Sequence, residues 1–169
     1  MAFVKEKGNV VAFAEFSDLE ARDLLLLASN EGLNDSSVIN PQLQRATERI
    51  LSKFRSSSWW RAYFLARSPT GIKKVSDIPP LNANYILARQ SDFTDLCLAT
   101  ALSEYILPMI ADFGSEDNAE RQKMGYYATR AEGLFNELME AGDWYDFDES
   151  GVISSDEKEA TVVNNVRIR

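Results

Sequence analysis

The sequence contains no histidine and only one cysteine among its 169 residues. Without histidine it lacks the commonest general base, the Ser-His and Cys-His nucleophile pairs and the ordinary His-containing zinc sites. The single cysteine, Cys97, excludes a disulfide within the chain and favours a reducing compartment. No glycine-rich phosphate-binding loop occurs either. These absences predict a protein without enzymatic activity.

Long apolar runs and export signals are also missing. No run approaches the roughly 18 to 20 apolar residues that a membrane span requires. The first residues show no charged region followed by an apolar region and a cleavage site. Because 45% of the residues are hydrophobic and 26% are charged, the composition is typical of one globular domain with a single core. We therefore expect neither export nor contact with a membrane.

The formal net charge is −8, but the charges are distributed unevenly along the chain. Between Arg45 and Lys74, basic residues are opposed only by Glu48. From Asp112 onward acidic residues dominate as far as the last ten residues. A chain with one basic and one acidic segment can stack against neighbouring molecules of opposite charge. Each segment is equally consistent with a solvated helix face.

Two consecutive helices form the predicted centre of the fold, as an antiparallel hairpin from Ser91 to Gly142. The first is capped by Ser91 and Asp92 and ends at Gly114. It is apolar on nearly every side, which is typical of a helix buried among others. The second runs over residues 115–141 with apolar side chains at helical spacing, and Gly142 ends it.

Two further helices precede this hairpin. Ser17 and Glu20 match a capping box at the start of a helix predicted over residues 17–32. Asn40 and Pro41 open the next one, with a cap followed by proline at the first helical position. Its apolar stripe continues into a second, aromatic segment.

The remaining segments lack helical periodicity. Residues 1–15 are predicted to form an extended arm, and residues 68–90 a long loop that holds a short strand near 85–88 or reaches a partner. The predicted organisation is therefore the arm, a helical bundle domain over residues 16–142, and an acidic loop with an extended tail over residues 143–169. The fold class is all-α, a small bundle of four or five helices with an extended N-terminal arm and C-terminal tail.

A dense group of aromatic side chains lies between two basic residues, Arg61 and Arg67. Its members are Trp59, Trp60, Tyr63 and Phe64. One interpretation is a stacking platform for single-stranded nucleic acid. The acidic net charge favours the other, in which these side chains anchor the core or a subunit interface.

The sharpest motif lies directly after the hairpin and fits the twelve-position calcium loop of an EF-hand. In this alignment the oxygen ligands come from Asp146, Asp148, Ser150, Val152, Ser154 and Glu157, with Gly151 at the sharp turn. The alternative is an acidic turn that leaves its carboxylates in solvent. Because neither a convincing exiting helix nor a second copy is present, we expect any bound Ca²⁺ to fold the tail back rather than to act as a sensor.

The last ten residues alternate apolar with polar or basic side chains. This pattern suits an extended segment that adds to the surface or sheet edge of another subunit, with a disordered end as the alternative. The predicted docking residues are Val162, Val166, Arg167, Ile168 and Arg169.

The order of these features resembles the head-to-tail adaptor, or connector, proteins of tailed bacteriophages. The segments that carry the resemblance are FSDLEARDLLLLA, PQLQRATERILSKF, DLCLATALSEYILPMIADFG and ERQKMGYYATRAEGLFNELMEAGDWYD. It covers Phe16 to Asp146, and the last two helices are its most specific part.

The resemblance implies a structural protein of the virion neck, made in the host cytoplasm, with no catalytic residue. Such adaptors assemble as a dodecameric ring and dock on the portal protein through an extended C-terminal segment. They present a platform to the next tail or head-closure protein. DNA passes through the channel without specific binding, and an acidic wall suits that passage because lysine and arginine would bind phosphates.

Three other functions remain open from the residues alone. The first is a calcium-binding regulatory or scaffolding protein that uses residues 146–157. The second is a single-stranded nucleic-acid-binding protein that uses the basic and aromatic segment from Arg45 to Lys74. The most distant is a hydrolase with paired carboxylates such as Asp143 and Asp146.

Overall fold

The computed structural model describes residues 3–67, 77–114 and 118–159, and this part of the chain is mostly helical. The prediction of a helical fold is confirmed in this broad sense. The all-α description is wrong at the N-terminus, where the predicted arm contains two short antiparallel strands, β1 (Val4–Glu6) and β2 (Asn9–Ala12).

The N-terminal hairpin belongs to the core rather than to a free arm. Lys7 and Gly8 both have positive φ angles, 49° and 85°, which a two-residue hairpin turn requires. Phe3 and Phe13, on either side of the two strands, are buried with their ring centroids 4.7 Å apart. The backbone N–H of Phe13 donates to the Thr47 hydroxyl over 3.0 Å. The hairpin is thereby fastened to the helix that carries Thr47.

The helix predicted over residues 17–32 is broken near its middle. The structure has α1 (Phe16–Arg22), α2 (Leu24–Ser29) and a 3₁₀ turn (Glu31–Leu33). Asp23 separates α1 from α2, because its backbone is not helical and its carboxylate accepts the N–H of Leu26 over 3.1 Å. A short acidic side chain that competes for backbone N–H groups favours such a cap over a continuous helix.

Helix α3 (Ser36–Ser56) starts earlier than predicted, so Pro41 lies inside it rather than at its first position. Asp35 caps the helix by accepting the N–H of Ser37 over 2.8 Å. Ile39 in the added turn is fully buried, and this packing outweighs the one backbone hydrogen bond that Pro41 removes. Helix α4 (Ser58–Arg67) follows directly.

Helix α5 (Gln90–Ala101) continues into a π-helical segment (Leu102–Ile106) and a 3₁₀ turn (Leu107–Met109). The predicted caps at Ser91 and Asp92 are wrong, because Arg89 precedes the helix in a left-handed conformation with a φ of 55°. The predicted end at Gly114 is also wrong. Pro108 lacks the N–H that would continue the α-helical ladder, and the helical path ends at Met109.

Helix α6 (Ala119–Ala141) is the second long helix of the predicted hairpin. Its cap is Asn118, whose side-chain oxygen accepts the N–H of Arg121 over 3.0 Å. The prediction that Gly142 ends it is confirmed, since Gly142 adopts the left-handed conformation with a φ of 59°.

Helix α5 lies at the centre of the core, with α3 and α6 packed against it. The prediction that it is surrounded by other elements is confirmed, because nearly all of its side chains from Phe93 onward are buried. Burial raises the pKa of the Cys97 thiol to about 12, which makes Cys97 a core residue rather than a reactive one. In the ranges described, no helix has the length and apolarity needed to cross a bilayer.

Candidate metal centre

The segment that follows α6 is fixed to the helical core before the predicted metal loop begins. Trp144 is fully buried and donates its indole N–H to the carbonyl of Leu138 over 2.8 Å. The carbonyl of Trp144 accepts the N–H of Leu87 over 3.0 Å, and Ile86 and Tyr145 form an isolated antiparallel bridge. The strand predicted near residues 85–88 is therefore reduced to this single bridge.

An exposed ion pair connects the start of α5 to the end of α6. The guanidinium of Arg89 donates to both carboxylate oxygens of Asp143, with Nη2 and Oδ2 3.1 Å apart. The hydrogen bonds from Arg89 lower the pKa of Asp143 below its usual value. Asp143, named as one half of a carboxylate pair, is thus engaged by Arg89.

Aromatic and acidic residues alternate along the first half of the loop, and the aromatic ones point into the core. The ring of Phe147 stacks on Tyr63, with centroids 3.7 Å apart, and lies 5.6 Å from Trp60. Tyr145 meets Trp60 edge to face at 5.0 Å. We call this group the aromatic cluster; it consists of Phe54, Trp59, Trp60, Tyr63, Phe64, Phe93, Trp144, Tyr145 and Phe147.

The aromatic residues named in the sequence as core or interface anchors lie in this cluster. Trp59, Trp60 and Tyr63 are buried within the chain, and Phe64 is half-buried against them. Buried rings cannot stack on nucleobases. Among the basic residues, Arg45 lies over the ring of Tyr105, 5.3 Å from its centroid. This arrangement does not favour the nucleic-acid platform.

The first predicted metal ligand, Asp146, has no exposed surface, and its carboxylate is held by the turn that follows. Oδ1 accepts the N–H of Ser150 over 3.2 Å, and Oδ2 accepts the N–H of Gly151 over 2.7 Å. Gly151 has a φ of 85°, a conformation that suits glycine at the predicted sharp turn. The loop therefore wraps around one buried carboxylate.

Glu157 closes the loop from a helix that the sequence was not expected to form. Helix α7 (Ser155–Glu159) begins after Ser154, whose N–H donates to Oε2 of Glu157 over 2.7 Å in a capping arrangement. The other oxygen accepts the N–H groups of Phe147 and Asp148 over 2.7 and 3.1 Å. Burial raises the pKa of Glu157, but these backbone hydrogen bonds outweigh it and hold the pKa below the usual value.

Three of the six predicted ligands come together at one point. Asp146, Asp148 and Glu157 each present a carboxylate oxygen, and these oxygens lie within 4.8 Å of one another. Of the others, the Ser150 hydroxyl donates to the carbonyl of Val152 over 3.0 Å. The Ser154 hydroxyl donates to Glu157 over 3.0 Å.

This donor set fits a hard divalent cation. Three carboxylates held close together repel one another, and Asp146 and Glu157 are shielded from the water that would otherwise solvate their charge. A cation among them would relieve both costs. Oxygen donors of this kind are those that Ca²⁺ and Mg²⁺ prefer, and their spacing along the segment is that of an EF-hand Ca²⁺ loop.

The residues outside the loop that hold it in place were not predicted from the sequence. The N–H of Asn82 donates to the Tyr145 hydroxyl over 3.3 Å, and the N–H of Asp146 donates to the carbonyl of Tyr85 over 2.9 Å. The side chain of Asn84 bonds to strand β2 from the same turn. The aromatic–acidic alternation from Trp144 was the available signal, because it gives the loop one face for the core and one for a cation.

The predicted docking residues Val162, Val166, Arg167, Ile168 and Arg169 lie outside the described residues. Comparison with protein-family models, with curated proteins and with solved structures gives no match to this chain.

Proposed function

We propose that this chain is a structural virion protein, a head-to-tail adaptor that forms a ring between the capsid portal and the tail. The observation that carries the proposal is the arrangement of the helices, with α3 and α6 packed on a buried α5 in the order that the resemblance implies. In this function no residue is catalytic. The helical domain supplies a rigid body that neighbouring copies and the next tail or head-closure protein contact.

The C-terminal tail is the proposed portal-binding segment, through Val162 to Arg169. Two features support this assignment. The loop over residues 144–159 is fastened to the core by Trp144 and Glu157, so the tail would leave from a fixed point on the domain. A net charge of −8 would let DNA pass through the ring without being held.

The test is the copy number of this protein in purified virus particles, measured by quantitative mass spectrometry against the portal protein. A dodecameric adaptor should be present in the same number of copies as the portal. Particles that contain portal and tail but lack this chain would contradict the proposal. The number of copies relative to the tail proteins would also place it in the neck or elsewhere.

We further propose that the loop holds one structural Ca²⁺ through Asp146, Asp148 and Glu157. The supporting observation is the convergence of these three carboxylates, of which Asp146 and Glu157 are buried and Asp148 is exposed. The cation would cross-link the end of α6 to α7 and so fix the base of the tail. A regulatory role is less well supported, because Phe147 and Tyr145 already fill the aromatic cluster and present no groove to a partner.

Calcium binding is tested by thermal unfolding of the full chain in chelator and in Ca²⁺, with the Asp146→Asn variant. A cation that binds only the folded state stabilises it by about 2.7 kcal/mol at 100 times its Kd. Asp156→Asn is the matched control, because it removes the same charge from α7 outside the donor set. We expect calcium to raise the melting temperature of the parent chain and of the control, but not of Asp146→Asn. Equal melting temperatures with and without Ca²⁺ in the parent chain would exclude the site.

A further inference from the structure

A short turn that precedes α5 is bonded both to the C-terminal loop and to the N-terminal hairpin. It consists of the 3₁₀ turn Ala83–Tyr85 and its cap Asn82, whose side-chain oxygen accepts the N–H of Asn84 over 3.0 Å. Ala83 is buried. We call residues 82–85 the bridging turn, because they connect two segments that lie at opposite ends of the described chain.

The loop holds the bridging turn through the two residues with which the metal centre begins. The N–H of Asp146, the first carboxylate of the donor set, donates to the carbonyl of Tyr85 over 2.9 Å. The hydroxyl of the preceding Tyr145 accepts the N–H of Asn82 over 3.3 Å. Both the first and the last residue of the bridging turn are therefore bonded to the start of the loop.

The hairpin is bonded to the same turn through Asn84. The side-chain oxygen of Asn84 accepts the N–H of Val10 over 2.9 Å, and its amide nitrogen donates to the side chain of Asn9 over 3.1 Å. Asn84 and Asn9 lie 75 positions apart along the chain. One side chain thus bonds to both of the residues with which β2 begins.

The two ends of β2 are held by different parts of the molecule. At its far end, the carbonyl of Phe13 accepts the hydroxyl of Thr94 in α5 over 2.8 Å. Nearer its start, a cavity of about 290 Å³ is lined by Val10 and Val11 of β2 and by Leu51 of α3. The start of β2 therefore depends on Asn84 more than its far end does.

We propose that a cation in the metal centre stabilises the start of the N-terminal hairpin through the bridging turn. A cation fixes the carboxylate of Asp146 and with it the backbone of the same residue, whose N–H holds the carbonyl of Tyr85. A bridging turn that moves less keeps Asn84 in position for Asn9 and Val10, so this end of the hairpin opens less often. The inference rests on the proposed calcium site and names a part of the fold that the site controls.

Hydrogen exchange of the Val10 amide, read by NMR on the full chain in chelator and in saturating Ca²⁺, tests the inference. We expect Ca²⁺ to slow this exchange by about fivefold, which is the lower end of the usual coupling between two sites. The amide of Arg121 is the reference. An asparagine side chain accepts it too, over 3.0 Å, but at the opposite end of α6 from the loop. Its exchange should not change.

The reverse effect is measured with Asn84→Ala, which removes both bonds to the hairpin and leaves the backbone of the bridging turn in place. Because coupling between binding equilibria is reciprocal, this variant should bind Ca²⁺ about fivefold more weakly in a calorimetric titration. Asn136→Ala, at an exposed position of α6, is the matched control and should bind Ca²⁺ as the parent chain does.

The outcomes separate the inference from the calcium site on which it rests. A melting temperature that rises in Ca²⁺ while the exchange of Val10 stays the same would overturn the inference and leave the site intact. An unchanged Ca²⁺ affinity in Asn84→Ala would also overturn it. Equal melting temperatures in chelator and in Ca²⁺ would exclude the site itself, and the inference with it.

Discussion

Two regions of this protein place large apolar side chains in opposite surroundings. In the aromatic cluster, Trp60 and Trp144 are shielded from water by neighbouring rings and both donate their indole N–H to backbone carbonyls. In the turn that follows α5, Met109 is 53% exposed and Phe113 is 60% exposed. The first region holds the chain together, and the second contributes little to folding. Residue type alone does not separate these roles; the surroundings do.

The largest change in the free energy of unfolding is expected when a ring is removed from the aromatic cluster. Trp144→Ala should lower the free energy of unfolding by about 3–5 kcal/mol, because it leaves a cavity between α6 and the loop and removes the hydrogen bond to Leu138. Chemical denaturation followed by far-UV circular dichroism measures the change. Trp144→Phe should recover part of the loss. A change below about 1 kcal/mol for the alanine variant would show that the cluster is not the structural centre of this side of the molecule.

A smaller effect is expected at the carboxylate that closes the loop. Glu157→Ala removes the acceptor for the N–H groups of Phe147, Asp148 and Ser154, and should cost about 1–3 kcal/mol in chelator, where no cation contributes. Hydrogen exchange of these amides, read by NMR, locates the effect. Faster exchange confined to the loop is the expected result. Unchanged protection would contradict the role assigned to this carboxylate.

The same carboxylate gives the loop a dependence on pH. The pKa of Glu157 is lowered in the folded chain from its ordinary value of 4.5, so its contribution is fully present above pH 4.5 and is lost as the pH falls through the folded pKa. Unfolding measured from neutral pH downward should show a loss of stability below pH 4.5 that is smaller in Glu157→Gln. Identical pH profiles for the two proteins would assign the acid sensitivity to other groups.

The smallest effect is expected at Phe113, in the turn that follows α5. Phe113→Ala should change the free energy of unfolding of the monomer by no more than about 0.5 kcal/mol, because the ring is mostly in solvent. The measurement is the same denaturation curve that is used for Trp144→Ala, at a concentration low enough to keep the chain monomeric. A loss of several kcal/mol would show that Phe113 stabilises the fold as the aromatic cluster does, and would remove the contrast between the two regions.

The helices were predicted well in position and less well at their ends. Apolar periodicity placed α3, α5 and α6, because a helix that packs on a core must present one face to it. The caps at Asp23, Asp35 and Arg89 were missed. Several polar residues near each boundary are chemically able to cap, and the choice among them depends on packing such as that of Ile39 and on the distant partner of Arg89.

The candidate metal centre was predicted from spacing within one segment of twelve residues. That spacing identified the carboxylates of Asp146, Asp148 and Glu157, which the fold brings together. It did not reveal the burial of Asp146, the helix α7 that positions Glu157, or the turn around Tyr85 that holds the loop. The contact with Tyr85 joins residues more than fifty positions apart along the chain, which spacing within one segment cannot predict.

By itself, the sequence determined a mostly helical chain, the central position of α5 and the order of acidic groups in the loop. These properties follow from periodicity and spacing within single segments, which local backbone geometry converts directly into faces and turns. Only the tertiary structure decided that the N-terminal segment completes the core as a hairpin, and that Trp59 and Trp60 pack inside the chain while Phe113 faces solvent. An apolar side chain is buried only when another part of the chain covers it, and which part does so is a property of the whole fold.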